Sequence, residues 1–281
     1  MKKIKNAMTV DVEDYFQVSA FEKYIKKEDW DKQECRVANS TNRLLDLFAE
    51  KQISATFFTL AWVAERFPEL VKRIVSEGHE LASHGYDHVR VIHQTPEQFR
   101  ADVIKTKHIL EDISGVEIKG YRAASYSIKE SNLWALDILH ETGHQYSSSI
   151  YPVKHDLYGI PSAPRFKYHP RGEQGILEIP ITTLEKFNKK WPCGGGGFFR
   201  LYPYALSRWA LNQVNNVDKQ SGMFYFHPWE IDPEQPRQEG LDFKTRFRHY
   251  LNLNKMYPRL EQLLEDFEWG RMDEIFLSDK R

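Results

Sequence analysis

The sequence predicts an α/β fold on a parallel sheet, and three observations carry that reading. Short apolar runs that read as strands alternate with stretches of helical period along the chain. Polar and titratable residues recur where those runs end, which is where a barrel of parallel strands displays its chemistry, so a barrel is favoured over an open sheet. No repeat, linker or low-complexity stretch divides the 281 residues, a length that suits one domain of barrel size, so residues 1–281 are expected to fold as one unit.

The elements follow in order. Residues 8–12 read as a short buried strand ending in acids, and 41–51 as a helix that turns Leu44, Leu45, Leu47 and Phe48 inward. Residues 55–60 are strand-like, 68–77 helical up to Gly78, and 79–83 the next strand. Thr95 caps a strong helix that has Pro96 at its first position and Gln98 completing a capping box, and that stops near Gly115. Further units are strand 118–121, helix 131–142 ending at Gly143, strand 176–181, helix 203–214 and the apolar strand 223–227. Residues 151–175 and 228–254 lack clear periodicity and are expected as ordered loops over one rim.

Composition bounds the partners. Lys and Arg total 39 against 40 Asp and Glu, a net charge of −1, so the chain has no general attraction for nucleic acid or anionic membranes and any charged partner is met locally. Cys35 and Cys193 match no metal or disulfide spacing, which is compatible with a reducing compartment. The basic N-terminus resembles a signal peptide, but Asp11, Glu13 and Asp14 interrupt the apolar run after it. No window approaches the roughly 18 apolar residues of a membrane span, and a cytoplasmic location is expected.

The chemistry concentrates at strand ends. Ser83-His84-Gly85-Tyr86-Asp87-His88 places two imidazoles four residues apart directly after a predicted strand. Eleven histidines make chance pairs common, and surface or capping roles compete with ligation. Asp11, Glu13 and Asp14 follow the first strand, where helix capping or a solvated turn is the competing explanation. Two imidazoles and one carboxylate supply three ligands to a divalent ion and leave positions open, the arrangement of a catalytic site, while a second carboxylate takes a proton from water. His227 ends an apolar strand, and Arg122 ends another where it can pair with the acids. His79-Glu80 does not begin an HExxH motif, and Gly194 to Gly197 lacks the Lys-Ser/Thr of a phosphate loop, reading instead as a flexible loop of close backbone approach.

Four segments in order, Thr9 to Phe16, Ser83 to His88, Gly120-Tyr121-Arg122 and Phe226-His227-Pro228-Trp229, resemble the polysaccharide deacetylase family, the NodB-homology domain of carbohydrate esterase family four. The similarity is greatest to the subfamily found in exopolysaccharide biosynthesis loci beside exosortases. The resemblance implies a distorted (β/α) barrel of about seven parallel strands, with a C-terminal extension of about 228–281. It also implies hydrolysis of N-acetyl groups from amino sugars. By that resemblance Asp11 is the catalytic base, Arg122 orients it, His227 is the catalytic acid, and His84 and His88 bind metal with either Glu13 or Asp14. Zinc is the default ion, with cobalt or nickel suited to the same ligands. Three departures stand out: Gly85 replaces a Ser or Thr, Ala124 replaces a proline, and the aspartate that supports the acidic histidine has no counterpart, Tyr146 to Ser149 offering only hydroxyls.

The expected partner is thus an N-acetylated glycan, with Tyr126 and Trp229 among the aromatics, together with Trp191, Phe198, Phe199 and Tyr202, available to stack on sugar rings or simply to pack. Two rivals are an allantoinase-like hydrolase of a cyclic ureide or imide and a catalytically silent carbohydrate-binding barrel. Oligomeric state is not indicated.

Overall fold

Strand β1 (Lys5–Val12) is buried from Asn6 onward and organises the sheet. In this computed structural model, which describes residues 3–155 and 158–278, β1 pairs in parallel with three strands. These are β2 (Thr56–Thr59) along Thr9–Val12, β9 (Met223–Phe226) along Ala7 to Val10, and β10 (Glu268–Gly270) along Lys5 to Ala7. Ala7 faces both Gly270 and Met223, and Val10 both Phe57 and Phe226, so β2 and β10 share one edge of β1 and β9 takes the other. The sheet continues from β2 through β3 (Glu80–Ser83), β4 (Gly120–Tyr121) and β5 (Tyr146–Ser147) to β6 (Leu177–Glu178), all parallel.

Seven parallel strands therefore run in the order β9-β1-β2-β3-β4-β5-β6, with β10 filling the first half of one edge of β1. No ladder joins β6 to β9 among the described residues. A strap over residues 179–195 spans the gap instead: Ile181 N–H donates to the Ile150 carbonyl (3.1 Å), Met223 N–H to Thr182 Oγ1 (2.6 Å) and Tyr225 N–H to the Gly194 carbonyl (2.8 Å). The result is a curled, incompletely closed barrel. From this strap projects an antiparallel hairpin of β7 (Thr183–Lys186) and β8 (Lys189–Pro192).

Helices cover the sheet as parallel crossovers require. They are α1 (Val37–Glu50), α2 (Ala61–Arg66), α3 (Pro68–Ser76), α4 (Pro96–Ser114), α5 (Trp134–Glu141), α6 (Gly196–Leu201), α7 (Tyr204–Asn216), α8 (Phe243–Tyr250) and α9 (Leu253–Asp266). Leu44, Leu45, Leu47 and Phe48 of α1 are all buried. The Thr95/Gln98 capping box opens α4, and Gly115 closes it in the left-handed conformation. Residues 151–175 are irregular as expected, with 156 and 157 outside the described residues.

The segment 228–254 differs from expectation, because only part of it is loop. Pro228–Ile231 forms a 3₁₀ turn, and Asp242 starts α8 by accepting from Thr245 N–H (3.0 Å). The C-terminal part is equally integral: Leu253, Met256, Leu260, Leu263 and Leu264 of α9 join the same core cluster as Val10, Phe48 and Phe224.

At the N-terminal ends of the strands a buried polar knot locks the layers together. Glu80 accepts from Thr56 Oγ1 (2.6 Å), Tyr146 Oη (2.9 Å) and the Asp273 amide (3.1 Å). Burial and the neighbouring Asp273 hold its carboxyl up at about 7. Tyr146 reaches Glu80 across Gly120, where an added Cβ would sit 2.2 Å from the phenol ring. Gly120→Ala should displace Tyr146 and destabilise the chain by at least about 2 kcal/mol; a denaturant midpoint unchanged from the parent would refute this role for the contact.

Candidate metal centre and active site

The C-terminal ends of β1, β3, β4 and β9 converge on the opposite rim. Glu13 follows β1, His84 and the loop to His88 follow β3, Arg122 follows β4 and His227 follows β9. Glu13 Oε2 lies 2.8 Å from His88 Nε2 and 3.9 Å from His84 Nε2, and the three ligand atoms fall within 4.8 Å of one another, all buried. His84 Nδ1 is 2.8 Å from the Arg122 carbonyl oxygen. A carbonyl only accepts, so Nδ1 carries the hydrogen and the Nε2 lone pair faces Glu13 and His88.

Electrostatics agree with that arrangement. Burial pushes His84 down to about 4, keeping it neutral. Burial opposes ionisation of Glu13, but His88 and His227 outweigh it and hold the carboxyl at about 2. Glu13 Oε2 is nevertheless buried with no donor in hydrogen-bonding geometry. An ionised carboxylate oxygen left without a donor, facing a lone-pair nitrogen, is the donor set a divalent cation satisfies.

The backbone of the histidine loop explains the glycine at 85. Gly85 (φ 78°) and His88 (φ 60°) both adopt positive φ, which folds the loop back on itself. Asp102 of α4 accepts from the Tyr86 amide (3.1 Å), and a Cβ at Gly85 would lie 3.2 Å from Asp102 Oδ2. A Ser or Thr there would meet both the conformation and the carboxylate.

Asp14, the alternative third ligand, is turned away from the imidazoles. Oδ1 accepts from Tyr15 N–H (2.8 Å), and Oδ2 from the amides of Arg36 (2.6 Å) and Val37 (2.8 Å) at the start of α1. The carboxylate is thereby committed to unsatisfied amides of two helical segments.

Beside the trio, Asp11 Oδ1 accepts from Arg122 Nη1 at 2.5 Å. Arg122 is fully buried. Its other N–H groups reach Thr9 Oγ1 (2.9 Å) and the carbonyl and hydroxyl of Ser148 (3.2 Å each), and its carbon centre lies 3.9 Å from the Phe58 ring centroid. Asp11 Oδ2 faces His227 Nε2 at 3.9 Å, and Glu13 Oε1 faces the same nitrogen at 3.5 Å.

His227 has the supporting acid that sequence reasoning did not find. Its Nδ1 is 2.8 Å from Glu230 Oε1, which also accepts the His227 amide at 3.1 Å, while Glu230 Oε2 accepts from buried Arg200 Nε at 2.7 Å. Burial opposes the charge on Glu230, but Arg200 and His227 outweigh it and hold the carboxyl at about 2. Burial likewise opposes protonation of His227, yet Glu13, Glu230 and Asp11 together push it up to about 9. The available signal was a glutamate three residues beyond a strand-ending histidine with proline between, which closes a capping box on the histidine amide. Arg200, 27 positions upstream of His227, had no local signal. The hydroxyls of Ser147 to Ser149 serve Arg122, each other and the Ala123 amide instead.

The aromatic candidates separate. Trp229 stacks on His227 (5.2 Å, 15°) and on His249 (4.3 Å, 11°), and its indole N–H points to Glu13 Oε1 at 3.5 Å. Tyr126 packs edge-on against Tyr225 (4.9 Å) near Arg122, with its buried hydroxyl unpartnered. Phe199 is not on the rim, since it is buried against Phe224 in the core. Trp191 and Tyr202 line a separate cleft beside the hairpin. Gly194 to Gly197 is not flexible loop throughout, because α6 begins at Gly196, where a Cβ would strike Glu230 Oε1 at 2.3 Å.

Comparison with known proteins gives two family matches: polysaccharide deacetylase over residues 29–147, and a domain of unknown function, DUF3473, over residues 148–277. A peptidoglycan-N-acetylglucosamine deacetylase of Bacillus cereus is 37% identical over 98 residues, 34% of this chain and 36% of that protein. A peptidoglycan deacetylase of Helicobacter pylori is 33% identical over 108 residues, 38% of this chain and 36% of that protein. The chain thus spans little more than a third of the length of these relatives. Among solved structures, a peptidoglycan N-acetylglucosamine deacetylase superposes over 100% of this chain and 91% of its own (TM-score 0.50, 18% identity). The allantoinase Puue does so over 97% and 88% (TM-score 0.59, 16% identity). At such identities these two likenesses establish the barrel fold, and the sequence matches relate residues 29–147 of it to polysaccharide deacetylases.

The geometry separates the two acids by experiment. His84→Ala, His88→Ala and Glu13→Gln should each lower bound metal sharply in purified protein. Asp14→Asn should retain it while losing about 1 kcal/mol of stability with the weakened helix cap. Undiminished stoichiometric metal in the His84→Ala/His88→Ala double variant would remove the metal assignment.

Proposed function

We propose that this chain is a metal-dependent hydrolase that removes N-acetyl groups from amino-sugar units of a polysaccharide or its precursor, with residues 1–281 acting as one catalytic unit. The observation that carries this reading is the placing of Asp11 and His227 at the edge of the Glu13/His84/His88 trio, each held by its own buried partner, Arg122 for Asp11 and Glu230 for His227. The names of the relatives, deacetylases of peptidoglycan and chitooligosaccharide, support the reaction type. The four sequence motifs, together with the DUF3473 match, support membership of the exopolysaccharide-locus subfamily.

Glu13, His84 and His88 would hold the ion, and zinc suits two imidazoles and a carboxylate, with cobalt and nickel as alternatives. When bound, such an ion polarises an acetyl carbonyl and lowers the pKa of water. Asp11 is the base: Arg122 occupies Oδ1 and leaves Oδ2 facing the site, fixing which oxygen receives the proton. His227 is the acid. Its Nδ1 hydrogen is engaged by Glu230, so the Nε2 hydrogen of the imidazolium faces the site and is available to the departing amine. Trp229 holds the imidazole plane from one side, and Tyr126 offers its unpartnered hydroxyl to substrate near Asp11.

Acetate release from N-acetylglucosamine oligomers, with cyclic ureides assayed beside them, tests the reading; turnover of the ureide without acetate release would replace it. Asp11→Asn should keep bound metal and lose turnover. It also leaves Arg122 buried without a counter-charge, so a stability loss on the order of 3 kcal/mol should accompany it. Parent-like turnover in this variant would exclude Asp11 as base. His227→Ala should slow amide hydrolysis by roughly 10²–10⁴-fold while sparing an activated acetyl ester, whose leaving group needs no proton. Equal losses on both substrates would assign His227 another role.

A further inference from the structure

We propose that the β7–β8 hairpin, with the cleft between it and α7, docks on an anionic bilayer surface. The inference is independent of the deacetylase reading. Phe187 occupies the hairpin tip with 91% of its surface exposed, and Phe187 and Asn188 both have φ of 54°. A two-residue turn with positive φ at both positions favours Asn and Gly, and a bulky side chain there is strained. Exposure and strain fall on one residue, and no packing in the fold compensates either.

The chain around the tip has the same character. Leu184, Trp191, Tyr202, Leu206 and Trp209 line a cleft of about 190 Å³ whose walls are almost wholly carbon. Trp191, Leu206 and Trp209 are each more than two-fifths exposed. Lys186 and Lys189 stand directly opposite one another across the strands, and neither has an acidic partner among the described residues. Opposed like charges weaken a hairpin, and an anionic partner would relieve that repulsion. Lys190 is different, since its ammonium is bonded to the Pro161 and Ala163 carbonyls.

Three occupants can be weighed by chemistry. A second copy joined tip to tip by a two-fold axis would bring four unpaired lysines together. A sugar chain needs convergent hydrogen-bonding groups, which this cleft scarcely has. A phosphate-bearing bilayer matches every component: Phe187 enters the acyl boundary, Trp191 and Trp209 sit at the interfacial level, and Lys186 and Lys189 meet phosphate. No described helix is long and apolar enough to cross a membrane, so such docking is peripheral. The hairpin is also coupled to the site, because Gly194, two residues past β8, accepts the amide of Tyr225, two residues before His227.

The test is flotation of the 281-residue chain with vesicles of phosphatidylglycerol and phosphatidylethanolamine, beside vesicles of phosphatidylcholine alone. Partition onto the anionic vesicles should exceed that onto phosphatidylcholine, and Phe187→Ser and Lys186→Glu/Lys189→Glu should each lower it by roughly tenfold or more. Brominated acyl chains should quench the parent's tryptophan emission and quench Phe187→Ser far less. The exposure of Phe187 and Lys189 leaves the fold intact in these variants, which matching thermal melts establish. Equal partition onto both vesicle types, no partition at all, or partition unaffected by either variant overturns the proposal. So does displacement of the chain from vesicles by an uncharged N-acetylglucosamine oligomer, which identifies a glycan site, or a dimer that Phe187→Ser dissociates.

Discussion

A guanidinium with no access to water must find every one of its partners inside the protein, and the arrangement of this molecule follows from how Arg122 does so. Its side chain gathers Thr9 and Asp11 from β1 and Ser148 from just beyond β5. Its carbonyl fixes the hydrogen of His84. One residue therefore orients the acid proposed as base and sets the tautomer of a proposed ligand. Strand β5 neighbours β4 in the curled sheet, but β1 lies three strands away from β4, so the Arg122–Asp11 pair reaches across the inside of the curl. Among the described residues Asp11 is the only carboxylate that forms an ion pair with this charge, so the pair is structural as well as chemical.

The second buried pair works on the other side of the rim. Arg200, also almost wholly buried, holds Glu230 and caps carbonyls at 248, 249 and 251, joining the end of α8 to the turn after β9. Through Glu230 that constraint reaches His227, and through Trp229 it reaches Glu13. Two arginines thus set the positions of the two groups proposed to move protons.

Much of the scaffold was legible because its signals are local. The α4 cap box, the Gly115 stop and the inward face of α1 are encoded within a few residues and appear as expected. The strand-end positions of Asp11, His84, Arg122 and His227 were equally visible, since apolar runs end abruptly there. What escaped lacked such a signal. Strand β5 is two residues long, too short for any alternation to register. Helix α9 carries Pro258 within its first two turns, which interrupts the helical pattern, and α8 exposes Phe243 and Phe247, so its apolar residues do not mark a buried face. The choice between Glu13 and Asp14 depends on where α1 begins in space, and the Glu230–Arg200 pair joins residues 30 positions apart. Neither can be read from spacing.

The two family matches meet between residues 147 and 148, at the end of β5, which hydrogen-bonds to β6 on the far side of that point. The site disregards the division. Asp11 and Glu13 precede both matched segments, His84, His88 and Arg122 lie in the first, and Ser148, Arg200, His227 and Glu230 lie in the second. Arg122 even takes a hydrogen-bond acceptor from the first residue beyond the junction. Neither segment then holds a complete set of the site's residues. A lineage that exchanged the second segment for a foreign one would receive an unmatched seat for its arginine and a new histidine with no assured aim. Strand pairing and the hydrogen bonds of the site both cross that boundary, so the seam recorded by sequence similarity is not a seam in the fold.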